Sequence, residues 1–254
     1  MNSLKDYGLL PTDTVTALLH DVDNNIDQEK FFKDAEELLL KLGDVVRSEV
    51  IPNLEQYDGR WHPSGFMVYA LGAHPELGSL RFHIWPKNLR RRLIKGRGEM
   101  NDIYDGDIHN HAWNITSLVM EYYSDNFYDI KTVDEGSLTD EEVNDKGLYR
   151  VFNVRYGEDA RQGLMTDGKV VEAVVAKQRE ARKGDIHTID TSIFHAPTIP
   201  VDVLGSTLVF VSFRLHANGP DILIGGTTDP IFDARREVSK EDAILAKNQL
   251  LASQ

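Results

Sequence analysis

Two histidines, His109 and His111, are separated by a single residue in the stretch DGDIHNHAWNITSLVMEYY, residues 105–123. The β-branched and apolar residues that follow are typical of a strand, in which side chains two positions apart project to the same face. Two imidazoles placed in this way can both reach one cation, at metal–nitrogen distances of about 2.0–2.2 Å. The spacing therefore indicates a metal site. Asp107 has the same parity, and we interpret it as a turn residue rather than a further ligand or a support for one.

A third histidine follows in a second stretch, RKGDIHTIDTSIFHAPT, residues 182–198. Gly184 and Asp185 precede a short predicted strand, a turn is expected around residues 190–192, and His195 comes after it. A turn that returns one histidine beside a strand carrying the other two would complete a site of three imidazoles. The expected metal ligands are therefore His109, His111 and His195.

These two stretches resemble the paired motifs of the cupin superfamily. The first family motif has a glycine, a short gap, a His-x-His pair and a glutamate four or five residues later; His109 and His111 match the pair. The second motif has Gly-Asp, usually a Pro-x-Gly turn, and a histidine; Gly184 and His195 match it at the family's spacing. The resemblance implies a mainly β fold, a cupin-type double-stranded β-helix or jelly-roll barrel.

The chain departs from the family at two points within the resemblance, which covers roughly residues 100–215. Asp190, Thr191 and Ser192 replace the Pro-x-Gly turn, and the family's glutamate would fall at Ile115 or Thr116, neither of which has a carboxylate. The implied ligand set is neutral, and is similar to that of thiol dioxygenases such as cysteine dioxygenase. Their thioether crosslink requires a cysteine, and this chain has none.

Three neutral ligands would leave a divalent ion with its full positive charge and with open coordination positions. We expect a mononuclear non-haem iron enzyme, a dioxygenase that uses Fe(II) and O₂ on a small polar substrate, thiol or amino-acid-like. Imidazole also suits Zn, Ni and Mn, so a non-redox isomerase, lyase or hydrolase is the alternative. A cupin that binds a small ligand without catalysis is a third interpretation.

Candidate catalytic residues surround the predicted ligands. Arg81 and His83 share one face of the predicted strand LRFHIWP, where Arg81 could pair with a substrate carboxylate through two hydrogen bonds. The equally weighted alternative has Arg81 in solvent and His83 in an ordinary packing role. His187, in the strand before His195, either supports a ligand or points outward.

Aromatic residues give weaker indications. Tyr149 and Tyr122 could each supply a phenolic hydroxyl to the pocket, although such residues more often pack with one polar tip. Trp113 is expected to pack or to shape the pocket wall. His20, His62 and His74 are assigned to surface or packing positions. Arg81, Tyr149 and His187 are therefore the predicted catalytic residues.

Composition limits the class of protein. The chain has 254 residues, 41% hydrophobic content, no cysteine and a formal net charge of −13. We expect a cytoplasmic protein that binds neither nucleic acid nor membranes. A homodimer is compatible with the sequence. The basic stretch at 86–98 is interpreted as a solvated segment rather than an anion or partner contact. Motifs of serine hydrolases, P-loop proteins, Rossmann folds and zinc metalloproteases are absent from the sequence.

The hydrophobic pattern predicts three regions: helices packed on the core at 1–60, a barrel at 61–230 and a helical segment at 231–254. Helices are expected in residues 11–21, from Asp27 to about Pro52, and after an N-cap at Ser239. Between them, short runs rich in aromatic and branched residues predict strands. Asp167-Gly168 indicates a hairpin turn, and the acidic residues 134–147 a surface loop.

Overall fold

The fold is mainly β, with two antiparallel sheets and few helices. The computed structural model describes residues 3–10, 27–62, 64–89, 108–133, 138–156, 162–213, 220–225, 231–233 and 236–254. The predicted first helix at 11–21, Asp107 and most of the basic stretch lie outside these residues. The coarse prediction of a β fold flanked by helices is confirmed.

The N-terminal helix α1, Gln28–Val45, begins at Asp27, whose side chain accepts a hydrogen bond from the Lys30 backbone N–H. It continues as a π-helical turn at Val46–Val50 and a 3₁₀ turn at Ile51–Gln56. Pro52 therefore does not end the helical region at once, because a proline near the start of a new turn has no backbone hydrogen bond to lose. The expected helix over this segment is confirmed.

The first sheet contains six strands in the order β1, β2, β3, β10, β4, β8. Their bounds are Gly59–Trp61, Met67–His74, Gly78–Trp85, Gly205–Val211, Ile115–Val119 and Ile186–Ile189. Alternation divides β3 between two environments: Leu80 and Phe82 are fully buried in the cluster that contains α1, while Arg81 and His83 line a cavity on the opposite side. One face of the sheet therefore packs on helices and the other faces the second sheet.

The second sheet has the strand order β11, β6, β7, β5, β9, and β12 also pairs with β7. These strands are Asp221–Ile224, Tyr149–Tyr156, Gln162–Arg182, Tyr122–Thr132, Phe194–Pro197 and Ile231–Asp233. His109 forms β-bridges with both His195 in β9 and Ile222 in β11, the strands at the two ends of this order. A short extended segment thus connects the two edges of the sheet.

Two predicted connections differ from the structure. Asp167-Gly168 forms no hairpin but lies inside β7, where residues 166–170 oppose only Arg150–Phe152 of β6. Gly168 has φ +87°, and the Thr166 and Asp167 side chains accept hydrogen bonds from the backbone N–H groups of Gly168 and Lys169, so the turn chemistry produces a bulge. The acidic segment contains a short helix, α2 (Asp140–Asp145), because Thr139 and Glu142 form a capping box.

The C-terminal helix α3, Lys240–Ala252, is confirmed, as is its N-cap: the Ser239 side chain accepts a hydrogen bond from the Asp242 N–H. Ala246 and Leu250 belong to the same buried cluster as α1 and the first sheet. The division of the chain at residues 60 and 230 stays a prediction. Within the described residues, none of the helices is long and apolar enough to cross a membrane.

Neighbouring leucines on α1 provide a test of this packing. Leu39 is 0% exposed and Leu40 is 54% exposed. We expect Leu39→Ala to lower the free energy of unfolding by about 2–5 kcal/mol because it leaves a cavity under the first sheet. Leu40→Ala should change it by about 0.5 kcal/mol or less. Urea unfolding of both variants measures the difference, and equal losses would contradict the packing of α1 described above.

Candidate metal centre

The three predicted ligands lie together. One potential ligand atom from each of His109, His111 and His195 falls within 4.8 Å of the others. The ring centroids of the three pairs are 4.8, 4.7 and 5.1 Å apart, and His111 Nε2 is 2.9 Å from His195 Nε2. His195 is buried, whereas His109 and His111 are partly exposed. The sequence prediction that these residues converge is confirmed.

The strand predicted for the His-x-His pair is not observed. Residues 108–111 instead form an extended segment with a β-bridge at His109. His109 and His195 exchange backbone hydrogen bonds of 3.0 and 2.9 Å. On the other side, Leu223 N–H donates to Ile108 O at 2.8 Å, and Asn110 exchanges two hydrogen bonds with Asp221. Side chains two positions apart still project to the same side of this extended segment, so the rings of His109 and His111 both lie near His195.

Behind His195 lies a buried ion pair. Asp125 is 0% exposed, and Arg179 donates to its two carboxylate oxygens, from Nε to Oδ1 at 3.0 Å and from an Nη to Oδ2 at 2.8 Å. His195 Nδ1 lies 3.5 Å from Asp125 Oδ2, longer than a well-formed hydrogen bond but close enough for strong attraction. Burial raises the pKa of Asp125, but the contacts with His195 and Arg179 outweigh it, so that pKa is lowered overall.

A cavity of about 90 Å³ opens beside the histidines, between the two sheets. This volume equals that of about three water molecules in the liquid, which is smaller than the pockets that hold drug-sized ligands. Arg81, His83, Trp113 and Ile115 line it from the first sheet and the segment before β4, and the Arg81 guanidinium lies 5.6 Å from the centre of the Trp113 ring. The inward interpretation of Arg81 and His83 and the wall position of Trp113 are therefore confirmed.

His62, assigned from sequence to a surface or packing position, also lines the cavity. Its ring stacks on Phe66 with a centroid distance of 4.3 Å. The Ser64 N–H donates to His62 Nδ1 at 3.2 Å, so the proton of the neutral ring belongs on Nε2. His62 directly follows β1, and a turn brings it to the cavity. The proline next to it indicates a turn in the sequence but not where that turn places His62.

The other predicted catalytic residues are not at the cavity. Tyr149 packs in a hydrophobic cluster with Val171 and Leu223, and Tyr122 packs near Trp85. His187 is buried and stacks on Tyr123, with centroids 4.6 Å apart and an interplanar angle of 15°. These positions correct the choice of Tyr149 as a pocket residue, while Tyr122 packs, as such tyrosines more often do. His187 lies next to Tyr123, whose hydroxyl contacts Asp125.

Charge in the site follows from burial. Desolvation, followed by repulsion from His109 and His195, lowers the pKa of His111 well below its usual value. Burial and the nearby Asp125 carboxylate raise the pKa of Tyr123, whose hydroxyl donates to Asp125 Oδ2 at 3.4 Å. His111 is therefore kept neutral, with a lone pair available for a cation.

The sequence analysis missed Asp125 and Arg179. A usable signal is present: Tyr123, Asp125 and Phe127 alternate along one face of β5, so an acid on that face is expected to be buried with a partner. The register that places Arg179 opposite Asp125 depends on long-range pairing of β5 with β7, which local sequence does not specify.

Comparison of the sequence with protein-family models and with curated proteins finds no match to either.

His187 gives a test of the buried environment. Burial, and then repulsion from Arg179, lowers the pKa of His187 from 6.5 to about 3. Below pH 6.5 the unfolded chain therefore takes up a proton that the folded protein excludes, so stability falls as the pH falls towards 3. Between pH 7 and pH 5 we expect this residue to account for a loss of about 2 kcal/mol. Urea unfolding of metal-free wild type and His187→Gln at both pH values checks it, and equal pH dependence would contradict the burial of a neutral ring.

Proposed function

We propose that the protein is a metal-dependent oxidoreductase of cupin type, a mononuclear non-haem iron dioxygenase acting on a small polar substrate. The observation that carries the proposal is the convergence of His109, His111 and His195 beside a cavity that Arg81 also lines. A thiol or amino-acid-like molecule with a carboxylate would match the positive charge that Arg81 brings to this cavity. A jelly-roll arrangement of the two sheets and a cytoplasmic location belong to the same proposal.

The geometry of the imidazoles supports a metal ion. Two nitrogens bound to one ion at about 2.1 Å and at right angles would be about 3 Å apart. His111 Nε2 and His195 Nε2 are 2.9 Å apart, and the ligand atom of His109 lies within 4.8 Å of both. Neutral nitrogen donors suit Fe, Zn, Ni and Cu, and three of them leave coordination positions for other molecules. The described residues thus fit a mononuclear ion.

Ferrous iron at this position would supply a redox-active centre with open coordination positions, as a reaction with dioxygen requires. The chain's own residues contribute the rest. Trp113, Ile115, Val154 and Ile222 give the cavity apolar walls that limit the water around a bound substrate.

Arg81 gives the cavity its cation. Its guanidinium is planar and rigid, so it can hold a carboxylate through two parallel hydrogen bonds, and its contact with the Trp113 ring limits its motion. His62 can offer an Nε2–H donor from another part of the wall. A substrate with an anionic group at one end and a metal-binding group at the other would engage Arg81 and the histidines together.

The ligand set can be tested by removing single imidazoles. We expect His109→Ala and His195→Ala each to lose bound metal while the fold stays intact, because the backbone hydrogen bonds between these residues do not use the side chains. His74→Ala is the matched control, since this histidine lies at the turn between β2 and β3, outside the ligand group. Elemental analysis after dialysis and circular dichroism measure both properties. Full metal content in either ligand variant would contradict the assignment.

Arg81 can be tested with substrate pairs that differ by one carboxylate, such as cysteine and cysteamine. Loss of a charge-assisted hydrogen-bonded pair of about 1.5–3 kcal/mol corresponds to a rise of about 10- to 100-fold in KM. We expect Arg81→Gln to show this rise for the carboxylate compound only, while the exposed Arg60→Gln shows none. Equal effects of Arg81→Gln on both compounds would contradict carboxylate recognition by this residue.

Measurement of oxygen consumption distinguishes a dioxygenase from a non-redox enzyme and from a ligand-binding protein. Purified protein is loaded with Fe(II) or Zn(II) and incubated with a panel of thiols and amino acids while dissolved O₂ is recorded. Substrate-dependent O₂ loss with Fe(II) supports the dioxygenase. Turnover under argon would instead indicate an isomerase, lyase or hydrolase, and tight binding without turnover would indicate a ligand-binding protein.

A further inference from the structure

The buried ion pair formed by Asp125 and Arg179 lies directly behind one of the three histidines. Strand pairing sets its geometry: Asp125 on β5 is opposite Arg179 on β7 on one side and opposite Pro197 on β9 on the other, while His195 is opposite Phe127. The carboxylate is therefore fixed by three adjacent strands. No side-chain rearrangement is needed to bring it to His195.

We propose that Asp125 and Arg179 are positioning residues of the metal centre, acting through His195; the inference rests on the proposed metal binding. The Asp125 Oδ2 oxygen, 3.5 Å from His195 Nδ1, favours a proton on that nitrogen. The lone pair of the neutral ring then lies on Nε2, the atom that faces His111 Nε2 at 2.9 Å. Asp125 thus selects the tautomer of His195 that can bind a cation.

Stability is a poor explanation for this pair. A buried ion pair must offset the desolvation of both charges, and its replacement by apolar residues is often neutral or stabilising. Asp125 is fully buried, and the Arg179 side chain is 20% exposed. A carboxylate that directs a ligating histidine, however, raises the basicity of the ring and fixes its orientation. It also supplies a negative charge next to a ligand group that contains no carboxylate.

Neighbouring aromatic rings hold the pair in place. The Arg179 guanidinium lies 4.6 Å from the centre of the Phe127 ring, and that ring lies nearly parallel to His195 at 6.4 Å. Tyr123 donates its hydroxyl proton to Asp125 Oδ2 at 3.4 Å. Asp125 is thus held by Arg179 and Tyr123, and its Oδ2 oxygen also lies next to His195.

The first experiment uses the wild-type protein without metal. Nitrogen-15 NMR of selectively labelled histidine distinguishes a protonated ring nitrogen from a bare one, with His195→Ala used for assignment. We expect Nδ1 of His195 to carry the proton and Nε2 to be bare. A neutral His195 with its proton on Nε2 would overturn the proposal, whether or not any variant folds.

The second experiment measures Zn(II) affinity by competition with a chelator. We expect Asp125→Asn to weaken binding by about 10- to 100-fold, as is typical for the loss of a residue that supports a metal ligand. Arg179→Lys keeps the charge but loses the two-bond geometry, and should weaken binding less. An affinity for Zn(II) within twofold of wild type in Asp125→Asn would overturn the proposal.

A matched control is available elsewhere in the second sheet. The Arg150 side chain is 5% exposed, against 20% for Arg179, and it pairs with Asp140 at 2.9 Å. It also donates hydrogen bonds to the backbone oxygens of Leu138 and Gly168. Arg150→Lys should therefore lower stability and leave Zn(II) affinity unchanged. Equal loss of affinity in Arg150→Lys and Arg179→Lys would overturn the proposal.

Different results would contradict the proposed metal-dependent function and the proposed positioning role of Asp125. Wild-type protein that binds neither Zn(II) nor Fe(II) would contradict the proposed function, while the tautomer of His195 in that metal-free protein still decides the role of Asp125. Wild-type protein that binds metal, with Asp125→Asn binding equally well, would contradict the positioning role only.

Discussion

The pair of backbone hydrogen bonds between His109 and His195 is the constraint on which the rest of the site depends. Residues 108–111 belong to no regular strand, yet they bridge β9 and β11, which lie at the two ends of the second sheet. The same contacts that join these edges bring two imidazoles from one segment against a third from another. Because backbone hydrogen bonds hold the segment, His109 is brought to His195 without the use of either side chain.

Electrostatics makes the site asymmetric. His109 and His111 line the cavity, and a buried carboxylate, that of Asp125, lies next to His195 and is balanced by Arg179. On the cavity side the cation is Arg81, held against Trp113. In the proposed enzyme, an anionic substrate would meet positive charge at both ends, from Arg81 and from a metal ion. The negative charge of Asp125 remains out of its reach.

The sequence predicts the parts of the fold that depend on local pattern. The helix from Asp27, the Ser239 cap and the strands flanking Arg81 follow from periodicity and capping chemistry, and the convergence of three histidines follows from motif spacing. What depends on long-range register was not predicted. Asp125 and Arg179 meet only through pairing of β5 with β7, His62 reaches the cavity through a turn, and Gly168 forms a bulge where local residues indicated a hairpin.

The most direct measurement is a crystal structure of the protein with Fe(II) or Zn(II), with the ion located by its anomalous scattering. The account predicts one ion bonded to a ring nitrogen from each of His109, His111 and His195, at about 2.0–2.2 Å, and facing the cavity lined by Arg81. An ion bound elsewhere, or one that contacts fewer than three of these rings, would contradict it.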